Sequence, residues 1–330
     1  MFALGLLTCI VLRAFSTQAK VVTSFGECKD FFYKNTEPGG MDQNAKKICQ
    51  KYGEGGRYYY ATLYSVSHRI PLYSAYTLDS ACSSTPGVSC GKKWYVEPQV
   101  TINFDKNIIK KNQAIYSDYT NSGYDRSHLN PNSFQCGTGR TSTCTLTNAA
   151  PMKAYFNRIH WNRWESTLRR LLKDNHVRDG ASATAYIVTG TVPSSNERIP
   201  KRGTSGDSER VTVPSHIWTA VCYKHLTDDT KSFSFGFMGR NQPAEPGINL
   251  INVSNLNDQL SDLYSQLPEE CKKSKIGLEC LWLFPLGLHN RMGVKVRVLC
   301  GAVHLSNFFK NSTSVWMEEI GLNPKEQSLI

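Results

Sequence analysis

The octapeptide YDRSHLNP, residues 124–131, contains four side chains that can do chemistry: Asp125, Arg126, Ser127 and His128. A neutral imidazole with a pKa near 6.5 can take a proton from water at neutral pH, so His128 is a candidate general base. A planar guanidinium such as that of Arg126 forms parallel hydrogen bonds with a carboxylate or another oxyanion. The competing interpretation is a polar surface loop that happens to contain a histidine.

A second group of polar side chains follows in segment 154–174, which has the apolar spacing of a helix. One face of this helix carries residues at successive steps of four: Asn157, Trp161, Glu165 and Arg169. An amide, a carboxylate and a guanidinium therefore share that face. The alternative is an amphipathic helix in which Glu165 and Arg169 form only an ion pair, worth about 0.3–0.5 kcal/mol.

In this order, the segments resemble the motifs of the DNA/RNA non-specific endonucleases of the ββα-metal type, and in particular those of the vertebrate endonuclease domain-containing 1 proteins. That family has a D-R-G-H strand end, a T-N-x-x-P segment and an F/L-N-x-x-x-W-x-x-x-E helix. The corresponding stretches here are 125–128, 147–151 and 156–165. The resemblance extends over roughly residues 25–267.

This resemblance implies a role for each residue in the hydrolysis of phosphodiester bonds. His128 would act as the general base, and Arg126 would contact phosphate oxygens. Asn157 would be the one direct protein ligand of a Mg²⁺ ion that keeps most of its waters, with Mn²⁺ or Ca²⁺ as alternatives. Glu165 would hold water that is bound to this ion.

Four further positions are singled out by the same resemblance. Arg169 falls where the family carries a helical arginine that contacts phosphate, and Lys92 and Lys93 lie near a further phosphate-binding arginine of the family. Ser127 is a departure, because the family has glycine there. That glycine serves either a positive φ angle or a close approach, so the serine either strains this turn or is tolerated.

The elements that must position these residues are predicted to form one α+β domain. Runs rich in β-branched and aromatic residues predict the strands of one sheet over 57–78, 183–192, 216–226 and 231–239. A second helix is predicted over 253–267, and Trp161 and Trp164 are expected in the core rather than stacked on bases. The fold class is therefore a mixed, mainly antiparallel sheet, to which the resemblance adds a ββα-metal finger.

The first residues predict a secretory signal peptide over 1–19, with an apolar core followed by small and polar residues. Of the 11 cysteines, Cys9 lies in this segment, which leaves 10, an even number suited to disulfides in an oxidising compartment. Two pairs are close enough to close small loops, Cys82/Cys90 and Cys136/Cys144, although spacing alone does not fix the connectivity. Zinc ligation is the alternative use of these cysteines.

A formal net charge of +11 and a pI near 9.1 favour a polyanionic partner such as nucleic acid, sulfated glycan or an anionic surface. No apolar stretch in the sequence reaches the roughly 18 residues of a membrane span. Asn252 and Asn311 lie in N-glycosylation sequons. These features predict a secreted, disulfide-bonded glycoprotein with a nucleic-acid substrate.

The predicted organisation is a signal peptide over 1–19, an endonuclease domain over 20–270 and a tail over 271–330 to which no structure or role is assigned. The main functional hypothesis is a secreted, Mg²⁺-dependent endonuclease that cleaves DNA, RNA or both without sequence preference. One alternative is a catalytically inactive relative that binds nucleic acid or sulfated glycan. Another is a structural, disulfide-rich glycoprotein, which explains charge and cysteines but not the ordered motifs. The oligomeric state is not predicted.

Overall fold

The computed structural model describes residues 19–42, 44–53, 56–79, 90, 93–100, 105–203, 207–244 and 249–267. Five of the sequence predictions concern residues outside these ranges: the signal segment before residue 19, Cys82, Lys92, Asn311 and the tail over 271–330. Within the described residues, none of the helices combines the length and apolar character that crossing a membrane requires.

The described part of the chain forms ten strands: β1 (Lys20–Val22), β2 (Lys46–Gln50), β3 (Tyr60–Ser65), β4 (Ile70–Thr77), β5 (Tyr124–His128), β6 (Ala149–Lys153), β7 (Ala183–Ile199), β8 (Val211–His225), β9 (Phe233–Arg240) and β10 (Asn249–Ile251). Eight of them make one antiparallel sheet in the order β1-β2-β3-β4-β7-β8-β9-β10. The other two, β5 and β6, form a separate antiparallel hairpin. The mainly antiparallel α+β class is thus confirmed.

Strands form at each of the predicted positions, with two differences. The run 57–78 is a hairpin, because the chain turns back at 66–69, where Arg69 has a φ angle of 56°. The hairpin of β7 and β8 is longer than the predicted runs, since it continues past Pro193 and Pro214. These two prolines lie opposite each other at a register shift, where neither has to donate a backbone hydrogen bond to the ladder.

Helices cover both faces of the main sheet. The helical segments are α1 (Lys106–Asn112), α2 (Tyr116–Tyr119), α3 (Gly137–Ser142), α4 (Asn162–Arg178) and α5 (Val253–Ser265), and a π-helical turn (Phe156–Trp161) leads into α4. The two predicted helices correspond to this turn with α4, and to α5. Asn252 of the first sequon caps α5, because its side chain accepts a hydrogen bond from the backbone of Asn255.

The two largest of four hydrophobic clusters among the described residues lie on opposite faces of the main sheet. On one face, α4 packs on β9, where Trp164 stacks on Phe237 with ring centroids 3.5 Å apart. On the other face, Leu256 of α5 packs against Gly236 of β9, and a Cβ atom at that glycine would lie 2.9 Å from Leu256. The prediction that Trp161 and Trp164 are core residues is confirmed, since they are 1% and 2% exposed.

Disulfides staple this framework, as predicted. Cys28 bonds to Cys49 and Cys90 bonds to Cys144, while Cys136 and Cys222 are also disulfide-bonded. Because Cys90 is bonded to Cys144, neither of the candidate pairs Cys82/Cys90 and Cys136/Cys144 forms. Beside this disulfide, the Tyr95 amide donates to the Cys144 carbonyl at 2.9 Å, so two segments that are distant in sequence lie side by side.

Candidate active site

The hairpin β5–β6, followed by the π-helical turn and α4, is a ββα unit that carries all the predicted site residues except Lys92 and Lys93. Its register pairs Ser127 with Ala150 and His128 with Ala149. At the mouth of the hairpin lies Asn148, a fully buried residue from the T-N-x-x-P segment. Its side chain accepts from the Asn130 amide at 2.9 Å and donates to the Asn130 carbonyl at 3.0 Å. Asn148 therefore fixes the chain just beyond His128.

A second buried asparagine attaches the hairpin to the main sheet. The side-chain amide of Asn241 donates to the carbonyls of Pro151 and Pro214, at 3.0 and 2.9 Å, and its oxygen accepts from the Lys153 amide at 2.8 Å. Prolines lack a backbone N–H but keep the carbonyl as an acceptor. This contact holds β6 against the end of β8.

The five residues of β5 direct their side chains alternately to two faces. Asp125 and Ser127 point to the helical side and contact Asn157. Arg126 and His128 point the other way, and both contact Trp94. We call these the amide face and the aromatic face of β5.

The amide face is a closed hydrogen-bonded network. Asn157, on the π-helical turn, donates to Asp125 at 2.9 Å and accepts a hydrogen bond from the Ser127 hydroxyl. Arg158 donates two hydrogen bonds to Asp125, at 2.7 and 2.8 Å. Burial alone would raise the pKa of Asp125, but the hydrogen bonds from Arg158 and Asn157 outweigh it and lower that pKa below its ordinary value.

The aromatic face consists of Arg126 and His128, which pack against aromatic rings. Arg126 lies between two rings, with its guanidinium carbon 4.3 Å from the Tyr116 centroid and 5.7 Å from that of Trp94. The Nε atom of Arg126 is buried without a hydrogen-bond partner among the described residues. The His128 ring lies 4.8 Å from the Trp94 ring, and its Nε2 atom lies 3.3 Å from the Cys90 sulfur.

Burial shifts the two candidate acid–base groups in opposite directions. It lowers the pKa of His128 to about 4, so the imidazole is neutral at pH 7, as a proton acceptor must be. It raises the pKa of Glu165, in the first turn of α4, to about 8. Without a cation nearby, Glu165 is therefore mostly protonated at pH 7.

Ser127 does not strain the backbone. It lies within β5 and is absent from the residues with a positive φ angle, so a glycine is not needed here for conformational reasons. Its effect is on Asn157 instead, because the buried hydroxyl occupies one acceptor position of the amide oxygen. A carbonyl oxygen has two lone pairs, so the other remains for a cation. Since Asp125 holds the amide nitrogen, the oxygen is also oriented, and Asn157 fits the predicted ligand role.

The two remaining predicted residues that the structure describes are Arg169 and Lys93. Arg169 lies on α4, half-buried and four residues after Glu165. Lys93 is exposed, and its backbone amide donates to the Cys90 carbonyl at 2.8 Å in the turn before Trp94. The structure joins Asn157 to Ser127 and joins His128 to Arg126 through Trp94. That His128 and Asn157 serve one metal ion stays a prediction.

Sequence reasoning missed several residues that contact the site: Asp125 as a partner of Asn157, Arg158, Trp94, Tyr116 and the disulfide of Cys90. Asp125 could have been found, because the period of two in a strand places it on the same face as Ser127. The contact between Cys90 and His128 gave no local signal, since 38 positions separate the two residues.

Among the described residues, one group of three potential metal ligands comes together: Cys90, His128 and Cys144, whose ligand atoms lie within 4.8 Å of one another. The two sulfurs are bonded to each other and so are not thiolates that could hold a metal. The zinc alternative is therefore not supported at this position.

The sequence matches a known protein family and is similar to several known proteins. The pattern of the DNA/RNA non-specific endonuclease family matches residues 41–263. The human endonuclease domain-containing 1 protein is 36% identical over 214 residues, which cover 60% of this chain and 39% of that relative. This chain therefore spans about two fifths of the length of that protein. Its mouse counterpart is 32% identical over 216 residues.

Two further matches are more distant. The mitochondrial Nuclease 1 of Schizosaccharomyces pombe is 28% identical over 277 residues, which cover 78% of this chain and 76% of that relative. A chain of a solved EndoG/EndoGI complex matches with a TM-score of 0.49 and 18% identity over 72% of this chain and 91% of that chain. The family pattern alone covers more than half of the sequence and includes the whole ββα unit, and the chain belongs to the DNA/RNA non-specific endonuclease family.

Proposed function

We propose that this protein is a secreted, Mg²⁺-dependent endonuclease that hydrolyses the phosphodiester bonds of DNA, RNA or both without sequence preference. The observation that carries the proposal is the pair on the aromatic face: a neutral His128 beside Arg126, whose buried Nε has no partner among the described residues. A buried, unpaired donor costs about 1–3 kcal/mol, and a role in binding or catalysis is one explanation for keeping such a group. A phosphate oxygen would satisfy it.

The residues of this chain divide the reaction between them. His128 accepts the proton of the attacking water, and Arg126 binds the phosphate and opposes the negative charge that grows on it. Asn157 would hold the Mg²⁺ ion through its amide oxygen, with Asp125 orienting the amide and Glu165 accepting hydrogen bonds from nearby water once it is deprotonated. When bound, the cation neutralises charge on the phosphate and the leaving oxygen. Mn²⁺ or Ca²⁺ could take its place.

Contacts to the rest of the nucleic acid are non-specific in this proposal. Arg169 and the lysines Lys92 and Lys93 would bind backbone phosphates, and the net charge of +11 would attract the polyanion over a longer range. Phosphate contacts carry no sequence information, which fits cleavage without sequence preference.

Secretion and the domain limits belong to the same proposal. The disulfides of the structure fit an oxidising compartment, in keeping with a signal peptide over 1–19 and an endonuclease domain over 20–270. The yeast relative, by contrast, is named as a mitochondrial protein. Asn252, at the start of α5, is a candidate glycosylation site.

A second candidate function rests on Ser127. Because its hydroxyl donates to the oxygen that would bind the cation, it competes with the cation for Asn157. If this competition prevails, the protein is an inactive relative that binds nucleic acid or sulfated glycan through the same basic surface.

The deciding experiment incubates the purified, mature protein with supercoiled plasmid and with single-stranded RNA, in Mg²⁺ or in EDTA. The His128→Ala variant, prepared in parallel, controls for a contaminating nuclease. Degradation that requires both Mg²⁺ and His128 supports the endonuclease. Tight binding without cleavage by the wild-type protein would favour the inactive relative.

A further inference from the structure

We propose that the Cys90–Cys144 disulfide and Trp94 are positioning residues for His128, and that they make Nδ1 the atom that accepts the proton. This inference deepens the proposed nuclease mechanism and rests on it. It concerns the orientation and the tautomer of the imidazole, which can be measured whether or not the protein cleaves nucleic acid.

The chemistry of the disulfide selects the tautomer. The Sγ atom of Cys90 lies 3.3 Å from Nε2 of His128, and this sulfur is bonded to the sulfur of Cys144. A disulfide sulfur carries no hydrogen, so in this contact it can only accept. Nε2 must therefore carry the proton, and in a neutral imidazole the other nitrogen, Nδ1, keeps its lone pair.

Trp94 limits the rotation of the same ring. The two ring centroids are 4.8 Å apart, with an angle of 38° between the ring planes. Trp94 is itself in contact with the guanidinium of Arg126. The imidazole therefore meets an aromatic surface on one side and a sulfur at one nitrogen, which together define where Nδ1 points.

Backbone hydrogen bonds tie these groups to the end of β5. The Tyr95 amide donates to the Cys144 carbonyl at 2.9 Å, and the Leu146 amide donates to the Tyr95 carbonyl at 2.8 Å. A few residues further on, the Leu129 amide donates to the Asn148 carbonyl at 3.0 Å. These backbone hydrogen bonds link the Trp94 segment and the disulfide to the end of β5. A change at the disulfide is therefore transmitted to the imidazole of His128.

The step itself is a simple proton transfer. An O–H bond of the attacking water breaks, the proton forms a new bond to Nδ1, and the water oxygen attacks phosphorus while the bond to the leaving oxygen breaks. His128 becomes an imidazolium, and its Nε2–H still faces the sulfur. The disulfide is neither oxidised nor reduced.

The functional test compares two pairs of cysteine substitutions. Cys90→Ala/Cys144→Ala removes the sulfur at His128, and Cys28→Ala/Cys49→Ala is the matched control, because it removes a disulfide between β2 and the preceding helical segment Phe25–Phe31. We expect the first pair to lower kcat by at least about tenfold with little change in KM, since misplacement of a catalytic group by about 1 Å can cost 10²-fold. The control pair should keep the kcat of its folded fraction. An equal loss in both pairs, or full kcat in the first, would overturn the positioning role.

The spectroscopic test uses the intact protein, so it also covers the case in which the first pair does not fold. Nitrogen-15 spectra of labelled wild-type protein, with His128 assigned by its absence in His128→Gln, should show Nε2 protonated and Nδ1 unprotonated at neutral pH. A proton on Nδ1, or an even mixture of tautomers, would refute the inference. The expected tautomer in a protein that cleaves neither DNA nor RNA would support the positioning inference while ending the proposed function.

Discussion

The two faces of β5 differ in how completely their polar groups are satisfied. On the amide face, Asp125, Ser127, Asn157 and Arg158 use their hydrogen-bonding groups on one another. On the aromatic face, the buried Nε of Arg126 has no hydrogen-bond partner in the part of the chain that the structure describes, and His128 is neutral next to a disulfide. In the proposed function, adjacent residues of one short strand would therefore have different roles: the amide face would orient a cation ligand, and the aromatic face would meet the substrate.

The charged groups of the two faces also differ in their contribution to stability. The ion pair of Arg158 with Asp125 is partly exposed, with 68% and 19% of the two side chains accessible, so solvent screens it and it adds little to stability. Its main effect is to hold Asp125 in place for Asn157. The buried Nε of Arg126, in contrast, has no hydrogen-bond partner among the described residues, and a donor left in that state costs about 1–3 kcal/mol.

The largest effect is expected on the aromatic face, from His128→Ala. Loss of a general base lowers kcat by about 10²–10⁴-fold and leaves the affinity for nucleic acid nearly intact. Steady-state cleavage of plasmid, together with binding measured in EDTA, would check this. If the variant kept full activity, His128 would not be the base.

The next largest effect is expected when an arginine on each face is replaced by lysine. Arg126→Lys removes the planar fork and its contact with Tyr116, and we expect kcat/KM to fall roughly ten- to hundredfold, the equivalent of about 1.5–3 kcal/mol for a hydrogen bond to a charged group. Arg158→Lys keeps a positive charge next to Asp125 and should change kcat/KM much less. Equal losses in the two variants would show that the faces are not divided as described.

The fold could be predicted from the sequence more fully than the site. Strands β3, β4 and β7 to β9 and helices α4 and α5 follow local patterns of apolar residues, which decide such elements before any tertiary contact. The site residues His128 and Asn157 were predictable because they lie in ordered motifs.

The surroundings of His128 could not be predicted in the same way. Cys90 reaches the ring across 38 positions and Tyr116 reaches Arg126 from a separate short helix, so no local period relates them. The two-faced pattern of β5 was available in principle. Residues 125 and 127 alternate with 126 and 128 along the strand, and this period of two places them on opposite faces.

A smaller effect is expected on the amide face, from Ser127→Gly. Removal of the hydroxyl frees the Asn157 oxygen, so the Mg²⁺ concentration for half-maximal activity should fall severalfold while kcat at saturating Mg²⁺ stays the same. Because the backbone at this position is ordinary strand, the glycine should also cost about 0.4–1 kcal/mol of stability through the unfolded state. Ser127→Ala is the matched control, which should share the gain in metal affinity without that cost. Unchanged metal dependence in both variants would mean that the hydroxyl does not compete.

The smallest effect is on the pH dependence of stability in EDTA. The pKa of Glu165 rises from its ordinary 4.5 to about 8 in the folded protein, so its contribution is fully present below pH 4.5 and is lost as the pH rises to about 8. The pKa of His128 falls from 6.5 to about 4, so its contribution is present above pH 6.5 and is lost as the pH falls towards 4.

The two contributions oppose each other between pH 4.5 and 6.5, and above pH 6.5 that of Glu165 acts alone. The melting temperature should therefore fall by a few degrees from pH 6.5 to 8, since 1 kcal/mol corresponds to about 2–4 °C in a domain of this size. Glu165→Gln should flatten this decline, and His128→Gln should leave it unchanged. A decline that survives Glu165→Gln would place its origin elsewhere.

The most direct test of the central claim, that the two faces of β5 serve one site, is the effect of bound Mn²⁺ on the His128 resonance. Mn²⁺ is paramagnetic and prefers the same oxygen ligands as Mg²⁺. If Asn157 holds the ion, the imidazole signal of His128 should broaden on addition of Mn²⁺, and the broadening should disappear in Asn157→Ala. The signal of His225, at the far end of β8, should stay sharp. An unbroadened His128 signal in protein that binds Mn²⁺, or broadening that persists in Asn157→Ala, would contradict the account.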